Sequence, residues 1–300
     1  MPDVYLVIGG SGLLGRHIAK QLQDRGDNVS VLDIVQRYDD IPFYHGDISD
    51  EAAVLSVLKQ CGATCIIHCA SPHAKSAAPE QFWKVNVDGT KALIAASTRL
   101  GINKFVYTSS SGVVFDGSDL ENIDESHPYA RKPLDVYMET KVQAEKIVLG
   151  ANGKDGNNKN LTDWTAVANV ADAHILAADR LSTPISPDAP VAGEIFSITN
   201  DEPWYFWDFT NGIWSRLDAW FSGKRQKRTV RVIPRWLGMC LGVIFEFEAW
   251  IRGRKPSMTR FTITFSCAAR WHNISKAKKV LGYNPQVSVE DGMDELVKVN

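Results

Sequence analysis

The chain carries no surplus of either charge: 33 Lys and Arg stand against 35 Asp and Glu, a net charge of −2. That balance leaves no electrostatic footprint for a nucleic acid, so none is expected as a partner. Paired cysteines are missing as well. The five present, Cys61, Cys65, Cys69, Cys240 and Cys267, are odd in number and contain no C-x-x-C. They read as thiols of a reducing compartment and not as a disulfide framework. Cys61, Cys65 and Cys69 have ligand-like spacing but straddle a turn and a strand, so no metal site is expected. No internal repeat is visible, and no signal peptide is expected ahead of the apolar run that starts at Val4. The longest unbroken stretch of apolar residues and glycine, Trp236–Phe245, is ten residues. It is too short to span a hydrocarbon core of about 30 Å. What remains is ordinary globular composition, 44% hydrophobic over 300 residues, with enough length for a sizeable core.

The most informative stretch is V-Y-L-V-I-G-G-S-G-L-L-G, Val4–Gly15. Val4–Ile8 is a short apolar run of the kind buried on both faces of a parallel sheet. Leu13, Leu14, Ile18 and Leu22 then recur at helical spacing until Gly26. Strand, glycine turn and helix together present backbone N–H groups and a positive helix end to a pyrophosphate. Gly9, Gly10, Ser11, Gly12, Leu13, Leu14 and Gly15 are therefore candidate cofactor-binding residues. A second strand over Asn28–Leu32 ends at Asp33, where a carboxylate can accept both ribose hydroxyls of an adenosine and repel a 2′-phosphate. These features point to NAD. A third strand end at Phe43–Ile48 places Asp47 and Ile48 near the adenine.

Helix is expected over 49–59, a strand over 64–69 followed by Ala70 and Ser71, a long helix over 79–100, and a strand over 104–108 that runs into Ser109, Ser110 and Ser111. The alternation predicts an α/β fold with a doubly wound parallel sheet. Tyr137 and Lys141, in Y-M-E-T-K, share one face of a helix over 134–149. Free tyrosine, with a pKa of about 10, is a poor base near neutrality, and a neighbouring Lys141 together with the positive nicotinamide of a bound NAD is expected to favour its phenolate. Farther on, 167–181 reads as helix, 194–199 as strand and 204–221 as an aromatic-rich helix, with Trp204, Tyr205, Phe206 and Trp207 expected in the core of a small lobe and a lipid-contacting patch as the alternative. Residues 1–182 are expected to form the dinucleotide-binding domain and 183–300 mainly the substrate lobe. Lys224, Arg225, Lys227 and Arg228 read as a solvated loop. Residues 234–255 carry Trp and Arg at both ends of an apolar helix, which fits either core or peripheral membrane contact. For the latter, Trp236, Leu237, Leu241 and Trp250 are the residues expected in lipid.

The motifs V-I-G-G-S-G-L-L-G-R-H-I, I-I-H-C-A-S-P, N-V-D-G-T, F-V-Y-T-S-S-S-G-V-V-F-D-G and Y-M-E-T-K all lie before residue 142. N-V-A-D-A-H, G-E-I-F-S-I-T-N and K-A-K-K-V-L-G-Y come after them. With these the chain resembles the extended short-chain dehydrogenases/reductases, in their 3β-hydroxysteroid dehydrogenase branch and closest to the fungal sterol-4α-carboxylate 3-dehydrogenases. The resemblance implies a Rossmann sheet with a C-terminal lobe, NAD as cofactor, and a sterol or steroid-like substrate whose 3β-hydroxyl is oxidised before decarboxylation. A 3β-hydroxysteroid or triterpenoid dehydrogenase, or a non-catalytic NAD binder, remains the alternative. By the same resemblance Tyr137 is the base, Lys141 also holds the nicotinamide ribose, Ser110 orients the substrate hydroxyl and Asn86 lies beside the site. The cytosolic face of the endoplasmic reticulum and a homodimer are further implications. One departure stands out. Gly150–Asn160, G-A-N-G-K-D-G-N-N-K-N, has no run able to form the sixth strand, and about 40–50 residues of the family pattern are missing there, a βα unit plus its loop. Leu161–Val167 is the one nearby stretch that offers a substitute edge strand.

Overall fold

The apolar run near the start of the chain becomes the middle of a parallel sheet. In the computed structural model, which describes residues 2–73, 77–151, 165–183, 185, 191–221 and 233–298, strand β1 (Val4–Ile8) lies between β2 (Asn28–Asp33) and β4 (Cys65–His68). Strand β3 (Phe43–His45) extends the sheet beyond β2, and β5 (Lys104–Tyr107) extends it beyond β4. All four pairings are parallel, in the order β3-β2-β1-β4-β5. Ile8 stands level with Leu32 and His68, so the carboxyl ends of the three central strands open together. The strand order reverses between β1 and β4, and that crevice is where open α/β sheets bind ligands.

Side chains alternate across the pleat, so each central strand feeds two cores. Tyr5 and Val7 pack with Ile18 and Leu22 of helix α1 (Leu13–Arg25) and with Ala171 and Ile175 of α6 (Val167–Ser182). Leu6 and Ile8 pack on the other face with Val54 and Leu58 of α2 (Glu51–Cys61) and Leu93 and Ala96 of α4 (Thr90–Arg99). Gly26 closes α1 at φ +88°, its N–H reaching the Leu22 and Gln23 carbonyls, a left-handed cap that glycine adopts freely. Asp50 opens α2 by accepting from the Ala52 and Ala53 N–H groups. The long helix is not uniform: α3 (Pro79–Phe82) passes through a π-helical stretch, Trp83–Gly89, before α4. Helix α5 (Val136–Ala151) carries Tyr137 and Lys141.

The sheet has five strands among the described residues, and β5 is its edge. The strand expected at Glu194–Thr199 is not formed; among the described residues the stretch joins no ladder. It and β5 line a common cleft of about 580 Å³. Of the substitute strand at Leu161–Val167, residues 161–164 lie outside the described residues and Val167 already opens α6. The basic run at 224–228 also lies outside them.

A smaller lobe draws on both ends of the chain. Strand β6 (Leu120–Ile123) pairs in parallel with β7 (Arg270–His272) beside a cluster of Val113, Phe115 and Met138. Helix α7 (Phe206–Trp220) has no buried residue, and Tyr205 and Trp207 are 83% and 61% exposed, against the expectation that 204–207 form core. Helix α8 (Arg235–Ile251) rests on α9 (Arg260–Cys267) through Gly238 and Gly242, where small residues let the helices approach. Leu237 and Leu241 turn out half-buried on that packed side. The helical period puts Trp236, Ile244, Phe247, Trp250 and Ile251 on the other side, each at least 60% exposed. Helix α10 (Ser275–Leu281) gathers Ala277 and Val280 with Ala173 of α6 in a further buried cluster. Helix α11 (Val289–Lys298) meets α7 through Met293 against Gly212 and an Arg216–Asp294 ion pair. No helix among the described residues is long and apolar enough to cross a membrane.

Candidate functional site

The glycine turn is packed too tightly for any other residue at three of its positions. A Cβ on Gly9 would lie 2.7 Å from the Ala70 backbone, one on Gly10 2.5 Å from the Val31 side chain, and one on Gly15 2.2 Å from the Gly9 carbonyl. Gly9 also sits at φ +82°. The contact explains Ala70, which closes the turn from the end of β4; Ser71 comes next, its hydroxyl donating to the Pro72 carbonyl. Helix α1 starts beyond Gly12 without a side-chain cap, so no side chain of the cap residue occupies its leading N–H groups. Ser11 is buried, Leu14 packs beneath the turn, and Leu13 is 69% exposed. These residues form a cradle that a side chain would fill, which fits a dinucleotide pyrophosphate.

Asp33 is tethered to this turn. It accepts from the Ser11 N–H at 3.0 Å and from the Ile34 N–H at 2.7 Å, which holds the carboxylate at the β2 end of the crevice. Asp47 accepts from the Ser49 N–H and hydroxyl with one oxygen and from Lys84 Nζ, at 2.7 Å, with the other. The Lys84 hydrogen bond leads in holding its carboxyl down at about 2. Ile48 is buried against Gly89.

The reacting end is built around the end of β5. Ser110 Oγ accepts from the Gly112 N–H at 3.1 Å, capping a short 3-10 turn, Ser111–Val113, and it stands near Tyr137. Tyr137 lies edge-on to Phe82 at 5.8 Å. Lys141 is buried, and its Nζ donates to the Thr108 carbonyl at 2.9 Å and to the Tyr107 hydroxyl at 3.3 Å. Burial lowers its pKa to about 8. Without a nicotinamide beside it, the Tyr137 pKa is not lowered. Burial raises it instead, with Ser110 acting in the opposite sense. The Lys141 ammonium itself is turned to the β5 backbone. Asn86 lies in the π-helical stretch and is buried. Its Nδ2 donates to Thr140 Oγ1 at 3.0 Å while its Oδ1 has no protein partner. It thus braces α5 between the two motif residues, and its own carbonyl accepts from the Thr90 hydroxyl at 2.6 Å.

Three further residues belong to this constellation. Glu145, one helical turn beyond Lys141, accepts from the Tyr129 hydroxyl at 2.9 Å, and burial raises its carboxyl to about 7. His174 on α6 pairs its Nε2 with Thr108 Oγ1 at 2.7 Å and its Nδ1 with the Val170 carbonyl, and burial lowers its pKa. Thr108 therefore ties the last turn of β5 to α5 on one side and to α6 on the other. Glu145 had a legible signal, its i+4 spacing from Lys141. The Thr108–His174 contact joins residues 66 apart and had none.

Comparison with known proteins sharpens the picture. The model of the 3-beta hydroxysteroid dehydrogenase/isomerase family matches residues 6–159 and 154–227. The chain is 35% identical to a sterol-4-alpha-carboxylate 3-dehydrogenase, decarboxylating, of Saccharomyces cerevisiae, over 98% of this chain and 96% of that protein. The Homo sapiens protein of that name is 34% identical over 97% of this chain and 87% of its own length. The alignment with the yeast protein has 345 positions, yet 98% of 300 residues is about 294. About fifty of those positions thus have no counterpart here, and the family match breaks in two at 154–159. Among solved structures, a short-chain dehydrogenase/reductase superfamily protein from Agrobacterium tumefaciens with bound NAD superposes at a TM-score of 0.70 with 16% identity, over 98% of this chain and 96% of that one. A UDP-glucose 4-epimerase from Thermotoga maritima superposes at 0.67 with 18% identity, over 98% and 97% of the two chains. At such identities the likeness is one of fold.

Proposed function

Because the chain belongs to the 3-beta hydroxysteroid dehydrogenase/isomerase family, we propose that it oxidises the 3β-hydroxyl of a sterol 4α-carboxylate with NAD, and that carbon dioxide is then lost. The observation that carries this reading is the gathering of Ser110, Tyr137 and Lys141 at the end of β5, beside the crevice that the glycine turn and Asp33 line. The glycine turn and the start of α1 would hold the pyrophosphate, and Asp33 the adenosine ribose. Asp33 disfavours a 2′-phosphate by on the order of 1–3 kcal/mol. NAD supplies the hydride acceptor when bound.

The chain's own groups handle the proton. Ser110 orients the substrate hydroxyl, and Tyr137 accepts its proton as hydride leaves the carbon. In the protein without cofactor, burial keeps Tyr137 a phenol. Lys141, one helical turn away, and the positive charge of a bound nicotinamide are the groups that would draw its proton off. The 3-ketone so formed is β to the carboxylate, and a β-keto acid loses carbon dioxide through an enol without a further catalytic residue. Turnover of a 4α-carboxysterol with NAD, and with its 2′-phosphorylated form, tests the reading. Tyr137→Phe is expected to cut the rate by about 10²–10⁴-fold and leave NAD binding intact. A variant with near-normal turnover, or equal use of the two cofactors, overturns the corresponding assignment.

We also propose peripheral attachment to the cytosolic face of the endoplasmic reticulum membrane. The exposed stripe Trp236, Ile244, Phe247, Trp250 and Ile251, with Arg235, Arg252 and Arg254 at the helix ends, supports it. Ile244→Glu with Phe247→Glu is expected to abolish flotation with anionic liposomes, and unchanged flotation would remove α8 from the contact.

A further inference from the structure

Strand β4 buries a histidine where an apolar side chain would serve the core better. His68 is fully buried at the carboxyl end of β4, its ring 6.2 Å from that of Phe105 and 5.3 Å from that of Tyr107. Burial lowers its pKa to about 3, with the Lys141 charge adding to the effect, so the ring is neutral. Among the described residues only Nε2 has a hydrogen-bond partner, Thr90 Oγ1 at 3.2 Å; Nδ1 has none. A buried nitrogen left unmet costs stability, and leucine or phenylalanine would fill the space without that cost. What the ring offers in return is the bond at Nε2.

The direction of that bond is set by its neighbours. The Thr90 hydroxyl lies 2.6 Å from the Asn86 carbonyl, which can only accept, so its one hydrogen goes there. His68 must then donate to Thr90, which fixes the Nε2–H tautomer and leaves Nδ1 as the bare nitrogen. The next link is fixed in the same way. The Thr140 hydroxyl commits its hydrogen to the Tyr137 carbonyl at 2.9 Å, so Asn86 Nδ2 donates to Thr140 Oγ1 at 3.0 Å. Asn86 thus receives from Thr90 at its backbone and gives to Thr140 with its side chain. Every donor points from β4 toward α5, and the chain ends on the backbone of Tyr137. Its start is equally well placed. Two residues beyond His68, Ala70 packs against Gly9 of the glycine turn, and between them the Cys69 N–H and Sγ reach the Ile8 carbonyl at 3.0 and 3.1 Å. One strand end therefore touches both the glycine turn and, through this chain, the helix that carries Tyr137.

We propose that His68 is a positioning residue: its Nε2–H starts a one-way chain through Thr90, Asn86 and Thr140 that holds Tyr137 in register with the glycine turn. This rests on the reading of Tyr137 as the base. The link needs a donor that takes up no charge, and an imidazole kept neutral by burial supplies one.

Two measurements need no turnover. Nitrogen NMR of the full chain is expected to show the His68 ring as the neutral Nε2–H tautomer. His174 should show the opposite one, because its Nδ1–H is committed to the Val170 carbonyl. A His68 ring protonated at Nδ1 overturns the proposal. Hydrogen exchange of the Lys141 amide, which an α-helix pairs with the same Tyr137 carbonyl, should quicken at least about tenfold in His68→Phe and in Thr90→Val. In His68→Gln, whose amide nitrogen can take the place of Nε2, it should stay within about twofold of the parent. Turnover should follow: kcat falls about tenfold to a hundredfold in the Phe and Val variants, KM and NAD affinity hold, and Gln restores the rate. His68→Phe combined with Thr90→Val should be no worse than either alone, because both cut one chain. Equal effects of Phe and Gln, additive losses in the double variant, or a loss of NAD affinity that matches the loss of rate overturns the proposal. Should His68→Phe fail to fold, Thr90→Val and the tautomer of the parent decide. If instead Tyr137→Phe keeps near-normal turnover, the assignment of the base fails, and the tautomer and exchange rates still judge the chain.

Discussion

The two ends of the crevice are built in opposite ways. At the adenosine end, a turn of seven residues is clamped between neighbours, with Gly9 on Ala70, Gly10 on Val31 and Gly15 on the Gly9 carbonyl. Every residue of the strand behind it from Tyr5 to Ile8 is buried. At the reacting end, the corresponding strand is a half-exposed edge, and the groups that hold its last turn are side chains: Lys141 from α5 and His174 from α6, both on Thr108. The first end is rigid because backbone packs on backbone. The second depends on hydrogen bonds from helices beside the last strand of the sheet among the described residues. Binding of the adenosine half should therefore be robust where positioning of the reacting atoms is not.

The sharpest way to test that contrast is to lengthen the chain. With the segment of the yeast relative inserted at 154–159, turnover is expected to rise about a hundredfold, because displacement of a reacting group by about 1 Å costs that much. NAD affinity should change far less. Equal turnover of the two forms would show that the reacting end is already in register. Breaking the other end calls for Gly15→Ala, whose Cβ meets the Gly9 carbonyl. Overpacking of this kind costs on the order of 1–3 kcal/mol, so NAD titration should weaken by about 5–150-fold. A native far-ultraviolet spectrum should persist, and unchanged affinity would mean that the turn yields.

The smallest effect concerns Glu145. Its folded carboxyl, raised to about 7, binds a proton that the unfolded chain releases near 4.5. Stability from this group is therefore present below about 4.5 and lost as pH rises through 7, by on the order of 1–3 kcal/mol. Glu145→Gln should remove that loss, so the variant gains on the parent between pH 4.5 and 8 in denaturant titrations. Parallel pH curves for the two proteins would show that the carboxyl is ionised throughout.

Legibility in the sequence depends on how local each feature is. The glycine turn, Asp33 and the Tyr137–Lys141 helix face are set by spacing within one strand–helix unit, and spacing is visible in a sequence. Patterning places the five strands within a residue or two for the same reason. Glu194–Thr199 has the composition of a strand, but a strand exists only beside a neighbour, and the neighbour is not adjacent here. Helical proximity pairs Lys141 with Tyr137, whereas its buried ammonium turns to the Thr108 carbonyl, 33 residues away. On α8 the apolar character is plain, but its two faces are told apart by which one meets Ile263 and Arg260 of α9. Gly238 and Gly242 are the available clue.

The π-helical stretch Trp83–Gly89 carries a consequence about counting. Such a stretch holds one residue more than the α-helical turns around it, so it stores an insertion. Removing a single residue there would restore α geometry with α3 and α4 still in line, but would change which residue stands opposite Thr140. Asn86 would then lose either Thr140 or its place in the helix. Chain length in this segment is thus a parameter held to the residue. Elsewhere the same chain leaves about fifty positions of its relative unmatched, and its described residues still form a five-stranded sheet. Tolerance to a changed length is a property of place, and it is lowest where a helix has already spent its one spare residue.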